Sequence, residues 1–90
     1  MLVRSGRKKI LNNTKRPLNT LLKNLNKHVI VRLKDNSEYK GQMVRCDNYM
    51  NIILDGATEY HQGSALTKYG NIFIRGNNIL YICLDVTRLD

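Results

Sequence analysis

The chain has 90 residues, a formal charge of +8 and 42% apolar residues. That length allows one domain with a modest core, one that leans on partners for part of its stability. The apolar share excludes disorder throughout, and the basic excess points to an anionic partner.

The charge is unevenly placed. Residues 1–16 hold Arg4, Arg7, Lys8, Lys9, Lys15 and Arg16 and no acid, giving +6; residues 17–90 hold nine Lys or Arg against seven Asp or Glu, giving +2. Residues 1–16 show no clear period and read as a basic N-terminal extension to a domain over 17–90. Such a leader is solvated, and it can also serve as a non-specific phosphate-binding arm. Pro17 suits the first position of a helix, where a missing N–H costs nothing. Leu18, Leu21, Leu22 and Leu25 follow at i, i+3, i+4 and i+7, predicting a short helix to about Lys27 with one apolar face against a core.

From Val29 the period becomes two. Val29, Val31 and Leu33 alternate with Ile30 and Arg32, and Asp35-Asn36-Ser37 is a turn cluster. A second strand runs from Tyr39 to about Cys46, where Gly41 predicts a bulge or sharp bend. Asn51 to Thr58 is the third strand, Tyr60 to Thr67 a loop, Lys68 to Ile74 the fourth strand and Ile79 to Leu84 the fifth. The fold class is therefore mainly β: a short N-terminal helix, then five strands in a small, strongly bent antiparallel barrel of SH3-like or OB-like type. Such a sheet has open edges, which attract other chains. The fifth stretch, Ile79-Leu80-Tyr81-Ile82-Cys83-Leu84, is apolar throughout, so the pattern asks for cover on both faces and hence for a second subunit.

Two polar motifs interrupt these apolar runs. Asp47-Asn48-Tyr49-Met50-Asn51 leads into Ile52-Ile53-Leu54; Asn71-Ile72-Phe73-Ile74-Arg75-Gly76-Asn77-Asn78 leads into Ile79-Leu80-Tyr81-Ile82. Each alone is ordinary turn chemistry. Together they supply an aromatic face, amides, a carboxylate and a guanidinium, groups suited to stacking on an unpaired base and reading its edge.

The pair also resembles the two halves of the Sm motif of the Sm and Sm-like (Lsm) RNA-binding proteins, over roughly Pro17 to Leu84. The resemblance implies an Sm-fold, SH3-like barrel in rings of six or seven identical subunits, seven favoured, with other Sm-like chains as further potential partners. In such rings the fourth strand of one subunit pairs with the fifth of the next, and single-stranded uridine-rich RNA binds at the inner rim. Carried over residue by residue, Tyr49 stacks on one face of a base and Arg75, from the second motif or from a neighbouring copy, covers the other. Asn51 hydrogen-bonds the base edge, Asp47 orients Asn51, Gly76 admits close backbone approach, and Asn77 fixes the turn or reaches the base. The chain departs from the common pattern in four places. Tyr49 stands where many archaeal relatives have His, Cys46 where Phe is common and Asn77 where an acid is frequent, and the basic leader is not a general family feature.

Other readings remain open: a protein-interaction scaffold ring, or a monomeric basic barrel binding structured RNA. No nucleophile–base pair, carboxylate cluster or phosphate loop suggests an enzyme, and His28 and His61 lack partner motifs. Cys46 and Cys83 show no metal spacing and read as buried thiols in a reducing cytoplasm, with no cofactor. No apolar run reaches membrane-span length, Met1-Leu2-Val3 is too short for a signal core, and the Asn12-Asn13-Thr14 sequon is without consequence absent secretion. A minimal chain able to pair with itself fits an archaeal origin.

Overall fold

Leu21 is completely buried, and the helix that carries it is short. The computed structural model describes residues 7–11 and 18–86, with side chains for 18–84. Pro17, expected to open the helix, lies outside the described residues, as does the rest of the leader except 7–11. Helix α1 spans Leu18–Lys23, four residues short of the expected end at Lys27. Beyond it the backbone tightens: Asn24 and Leu25 donate their N–H groups to the carbonyls of Leu21 and Leu22 three residues back. Asn26 then adopts a left-handed φ of 68°, a conformation that ends helices and that Asn tolerates. Its N–H is donated to the Met43 carbonyl at 2.6 Å, while Met43 N–H reaches the Lys27 carbonyl at 3.0 Å. Tertiary pairing thus captures the chain before another helical turn forms. With so short a helix the apolar stripe is only partly used: Leu21 and Leu25 pack on the core, whereas Leu22 is exposed.

Among the described residues, seven strands follow the pattern of one bent antiparallel sheet. The backbone of Arg7–Leu11 forms β1, a strand the leader's sequence did not announce. After α1 come β2 (His28–Leu33), β3 (Glu38–Cys46), β4 (Ile52–His61), β5 (Ser64–Lys68), β6 (Asn71–Ile74) and β7 (Ile79–Val86). The spatial order is β1-β7-β2-β3-β4-β5, with β6 also on β4. Alternation sends Val29 and Val31 of β2, Met43 of β3, Ile52 and Leu54 of β4, Ile74 of β6, and Ile82 and Leu84 of β7 into one core. Along β7 only one face is fully covered within the chain. Ile79, Ile82 and Leu84 are buried, whereas Leu80 is exposed and Tyr81 and Cys83 are intermediate.

The barrel corner lies where Gly41 was expected to bend β3. The β3–β4 register slips between Lys40 and Gln42. A Cβ on Gly41 would stand 3.1 Å from the Ala57 Cα and the Asp55 carbonyl oxygen, so the two backbones meet too closely for a side chain. Gly56 supplies a φ of 61° beside it. The strand opposite breaks at the same level. Gly70 carbonyl accepts from Gly56 N–H at 2.7 Å, and Tyr69 N–H reaches the Ala57 carbonyl at 2.7 Å. The fourth predicted strand therefore splits into β5 and β6, which pair with separate stretches of β4. The expected loop over 60–67 is instead a hairpin, closed by Gln62 (φ 53°) and Gly63 (φ 84°). Two positive φ values make a two-residue turn that matches strand twist; Gln at its first position gives no sequence signal for it.

Candidate nucleic-acid interface

The five-residue turn from Asp47 to Asn51 is organised by one carboxylate. Asp47 Oδ1 accepts the N–H groups of Tyr49 (2.8 Å) and Asn51 (3.0 Å), and Oδ2 accepts Asn51 Nδ2 (3.0 Å). Two backbone bonds close the turn, Met50 N–H to the Asp47 carbonyl and Asp47 N–H to the Asn51 carbonyl. Met50 is forced to a left-handed φ of 62° while its side chain is only 1% exposed. A buried Met in that conformation stores strain that the Asp47 bonds and the core contact together offset. The result throws Tyr49 outward, at 61% exposure. Partial desolvation, the largest single influence on Asp47, acts to raise its pKa; the bonds from the Asn51 amide and from the Tyr49 and Asn51 N–H groups outweigh it and hold the carboxyl below its ordinary value.

That direction fixes a pH dependence. A depressed folded pKa means that the stabilisation is present above the unfolded value and is lost as pH falls through the folded one. The amide protons of Tyr49 and Asn51, followed by NMR, should therefore shift together with a midpoint below the ordinary 3.8 of an aspartate. A midpoint at or above that value would mean that the turn is held by something other than this carboxylate.

The second turn is Arg75 followed by the single 3-10 turn Gly76–Asn78. Gly76 N–H donates to Asn51 Oδ1 at 2.8 Å, joining the two motifs directly. A Cβ on Gly76 would fall inside contact with the Tyr49 carbonyl oxygen and 2.9 Å from the Met50 carbonyl carbon. Asn78 ties the assembly to the β2–β3 turn through its carbonyl, which accepts Lys34 N–H at 2.9 Å. That turn is itself braced by Asp35, which accepts the Ser37 N–H and hydroxyl.

The structure thus brings Asp47, Tyr49, Asn51 and Gly76 into one hydrogen-bonded junction, with Arg75 next to it in sequence and exposed. Asn77 is exposed at the middle of the 3-10 turn. Asn51 is engaged on both amide atoms, leaving one N–H and one oxygen lone pair for a ligand. Cys46, just before the turn, has its thiol pushed up first by burial and then by the Asp47 charge, so it stays protonated at neutral pH.

The sequence reading missed the surroundings of Arg75. It lines a concavity of about 420 Å³ with Leu33, Tyr39, Tyr69, Phe73 and Asn78 among its walls. The Tyr39 and Tyr69 rings lie 6.2 Å apart at 40°, and the Tyr69 hydroxyl donates to Glu59 at 2.8 Å. The sequence places Tyr69 inside a continuous strand; in the structure it lies between β5 and β6, on the wall of this concavity. Among the described residues no cluster of three or more His, Cys, Asp or Glu could hold a metal.

The sequence and the fold match a known family. The LSM domain family model matches residues 19–84, and the chain belongs to this family of RNA-binding Sm and Sm-like proteins. It is similar to an LSM complex subunit, lsm6, of Schizosaccharomyces pombe, with 42% identity over 66 residues, 73% of this chain and 88% of that protein. Among solved structures it is similar to the Pyrococcus abyssii Sm protein in complex with a uridine heptamer (36% identity, TM-score 0.71, 73% of this chain and 93% of the other). It is also similar to a heptameric archaeal Sm protein (30% identity, TM-score 0.66, 80% and 98%).

Proposed function

We propose that this protein binds single-stranded, uridine-rich RNA as one subunit of a ring, without catalysing a reaction, in RNA processing or metabolism in the cytoplasm. The observation that carries this reading is the Gly76 N–H to Asn51 Oδ1 bond. It joins the two turns, one carrying the exposed Tyr49 and the other the exposed Arg75. A phenol ring and a guanidinium plane can sandwich a base, and the residual N–H and lone pair of Asn51 suit the edge of uracil. Gly76 admits the backbone approach, and Asn77 shapes the turn or reaches the base. The Pyrococcus abyssii relative, solved with a uridine heptamer, supports the choice of ligand.

Ring closure is supported by the exposed edge of β6, where Phe73 is 61% exposed, and by the half-covered β7, where Leu80 is 45% exposed. Edge pairing of β6 on the β7 of the next subunit, repeated by rotation, closes a ring, and the heptameric archaeal relative favours seven. Identical subunits are the simpler arrangement. A mixed ring with other Sm-like chains is the second reading, favoured by the similarity to the fission-yeast LSM complex subunit.

Native mass measurement with and without a uridine run, alongside fluorescence anisotropy, tests both parts. A ring presents one pocket per subunit, so a uridine run long enough to cross several pockets should bind at least ~100-fold more tightly than a trinucleotide. Equal affinities, or a monomeric mass at high concentration, would overturn the ring. A ring that ignores uridine runs would leave a protein scaffold as its role.

A further inference from the structure

The edge of β7 that ring closure requires is already occupied within the chain. β1 pairs antiparallel with β7, Arg7 opposite Val86 through Leu11 opposite Ile82. We propose that β1 is a removable cover on that edge, which the β6 strand of a second copy must displace, so that subunits assemble by strand exchange. This rests on the ring reading above and adds a control on it.

Three observations point the same way. Over residues 82–84 β7 has β2 on one side and β1 on the other, so neither edge is free there, and over Asp85 and Val86 its described partner is β1. On the β1 side, only Ile79, Leu80 and Tyr81 of β7 stay uncovered, three residues, whereas β6 has four. An incoming β6 can therefore begin pairing on the bare stretch, where Leu80 is exposed, but cannot finish while β1 stays. Finally, β1 pairs with β7 and with no other described strand, so it can leave without breaking any other ladder. β2, by contrast, is paired on both sides, and its departure would open the barrel.

The cover sets an assembly threshold. When the competent state is only fractionally populated, the apparent affinity between copies falls by that fraction. A cover closed about nine-tenths of the time raises the concentration needed for each contact roughly tenfold. Exposed strand edges invite indiscriminate pairing, and a strand supplied in cis suppresses it until the partner edge is abundant.

The register offers a direct test in the full chain. Ile10 lies opposite Cys83, and directly opposed Cα atoms in antiparallel strands stand ~4.5–5.5 Å apart, within disulfide range. In a Cys46→Ser background, Ile10→Cys should oxidise to a disulfide with Cys83 that holds β1 shut. The oxidised protein should remain monomeric at concentrations where its reduced form gives rings by sedimentation velocity and native mass. In the opposite direction, Lys9→Pro or Ile10→Pro should lower the half-assembly concentration about tenfold, since the N–H groups of adjacent strand residues alternate in direction and one of the two prolines removes a ladder donor.

Failure of the disulfide to form would show that β1 does not hold this register, and would overturn the proposal. Rings that form equally well in the oxidised and reduced states would overturn the cover alone and leave ring assembly standing. Absence of rings in every form, the proline variants included, would overturn the ring reading and the cover together.

Discussion

Gly76→Ala should abolish uridine-run binding and lower Tm by roughly 10 °C or more. The added methyl would enter the Tyr49 carbonyl oxygen and approach the Met50 carbonyl carbon to 2.9 Å. Both are backbone atoms, so no rotamer change can relieve the clash. Overpacking against a yielding side chain costs about 1–3 kcal/mol, and a backbone neighbour belongs at the upper end of that range. Relief requires the two turns to part, which breaks the Gly76 N–H to Asn51 Oδ1 bond and leaves Asn51 anchored by Asp47 alone. Stability and RNA binding should therefore fall together. Gly70→Ala is the matched control: nothing lies within 4 Å of a Cβ there and no positive φ is required, so its stability should stay within about 0.5 kcal/mol of the parent. Scanning calorimetry on the two variants, with anisotropy on a uridine run, separates them. Equal behaviour would mean that the junction is not what joins the motifs.

The same junction shows what the sequence could and could not reveal. Val29 and Val31 announced themselves by alternation and are core residues, as are Ile52 and Leu54 of the apolar run, while Leu33, read on the same alternation, is only partly buried. Gly41 announced the corner, because a glycine inside an apolar strand has few other uses. What stayed hidden depended on a partner segment. The helix stops at Lys23 because Met43, seventeen residues after Asn26, takes the Asn26 N–H, and no local signal encodes that bond. The split of β5 from β6 is imposed by Gly56 across the ladder, not by Tyr69-Gly70 alone. The hairpin at Gln62-Gly63 lacks the Asn or Asp that usually betrays such a turn. β1 was invisible for a related reason: its pairing is with the far end of the chain, and its sequence, Arg-Lys-Lys-Ile-Leu, has no alternation to report.

At the site, motif spacing located the two turns but not the division of labour between them. Asn51 reads in sequence as a base-edge amide. In the structure it is first a strut, with one amide atom on Asp47 and the other on Gly76. A strut with spare hydrogen-bonding capacity is better placed to discriminate than a free side chain, because its orientation is fixed before the ligand arrives. Under the proposed function, specificity would then rest on Asn51 and affinity on the exposed groups that flank it.

Tyr49→Ala isolates that affinity. The ring is 61% exposed, so its removal should change stability by no more than about 0.5 kcal/mol and leave the oligomer intact. One stacked base is worth roughly 1–3 kcal/mol, or about 5- to 150-fold in affinity. A trinucleotide engaging a few pockets should therefore weaken measurably. A long uridine run, which meets the same loss at each pocket it crosses, should weaken by the product, more than ~1,000-fold, so that the advantage of length largely disappears. Tyr49→Phe should restore binding to within about threefold, since stacking needs the ring and not the hydroxyl. Arg75→Ala should follow Tyr49→Ala in direction, because the proposed sandwich needs a group on each face of the base. Unchanged binding by Tyr49→Ala, with the native mass preserved, would place the pocket elsewhere; equal losses for short and long uridine would show that the pockets do not act on a common strand.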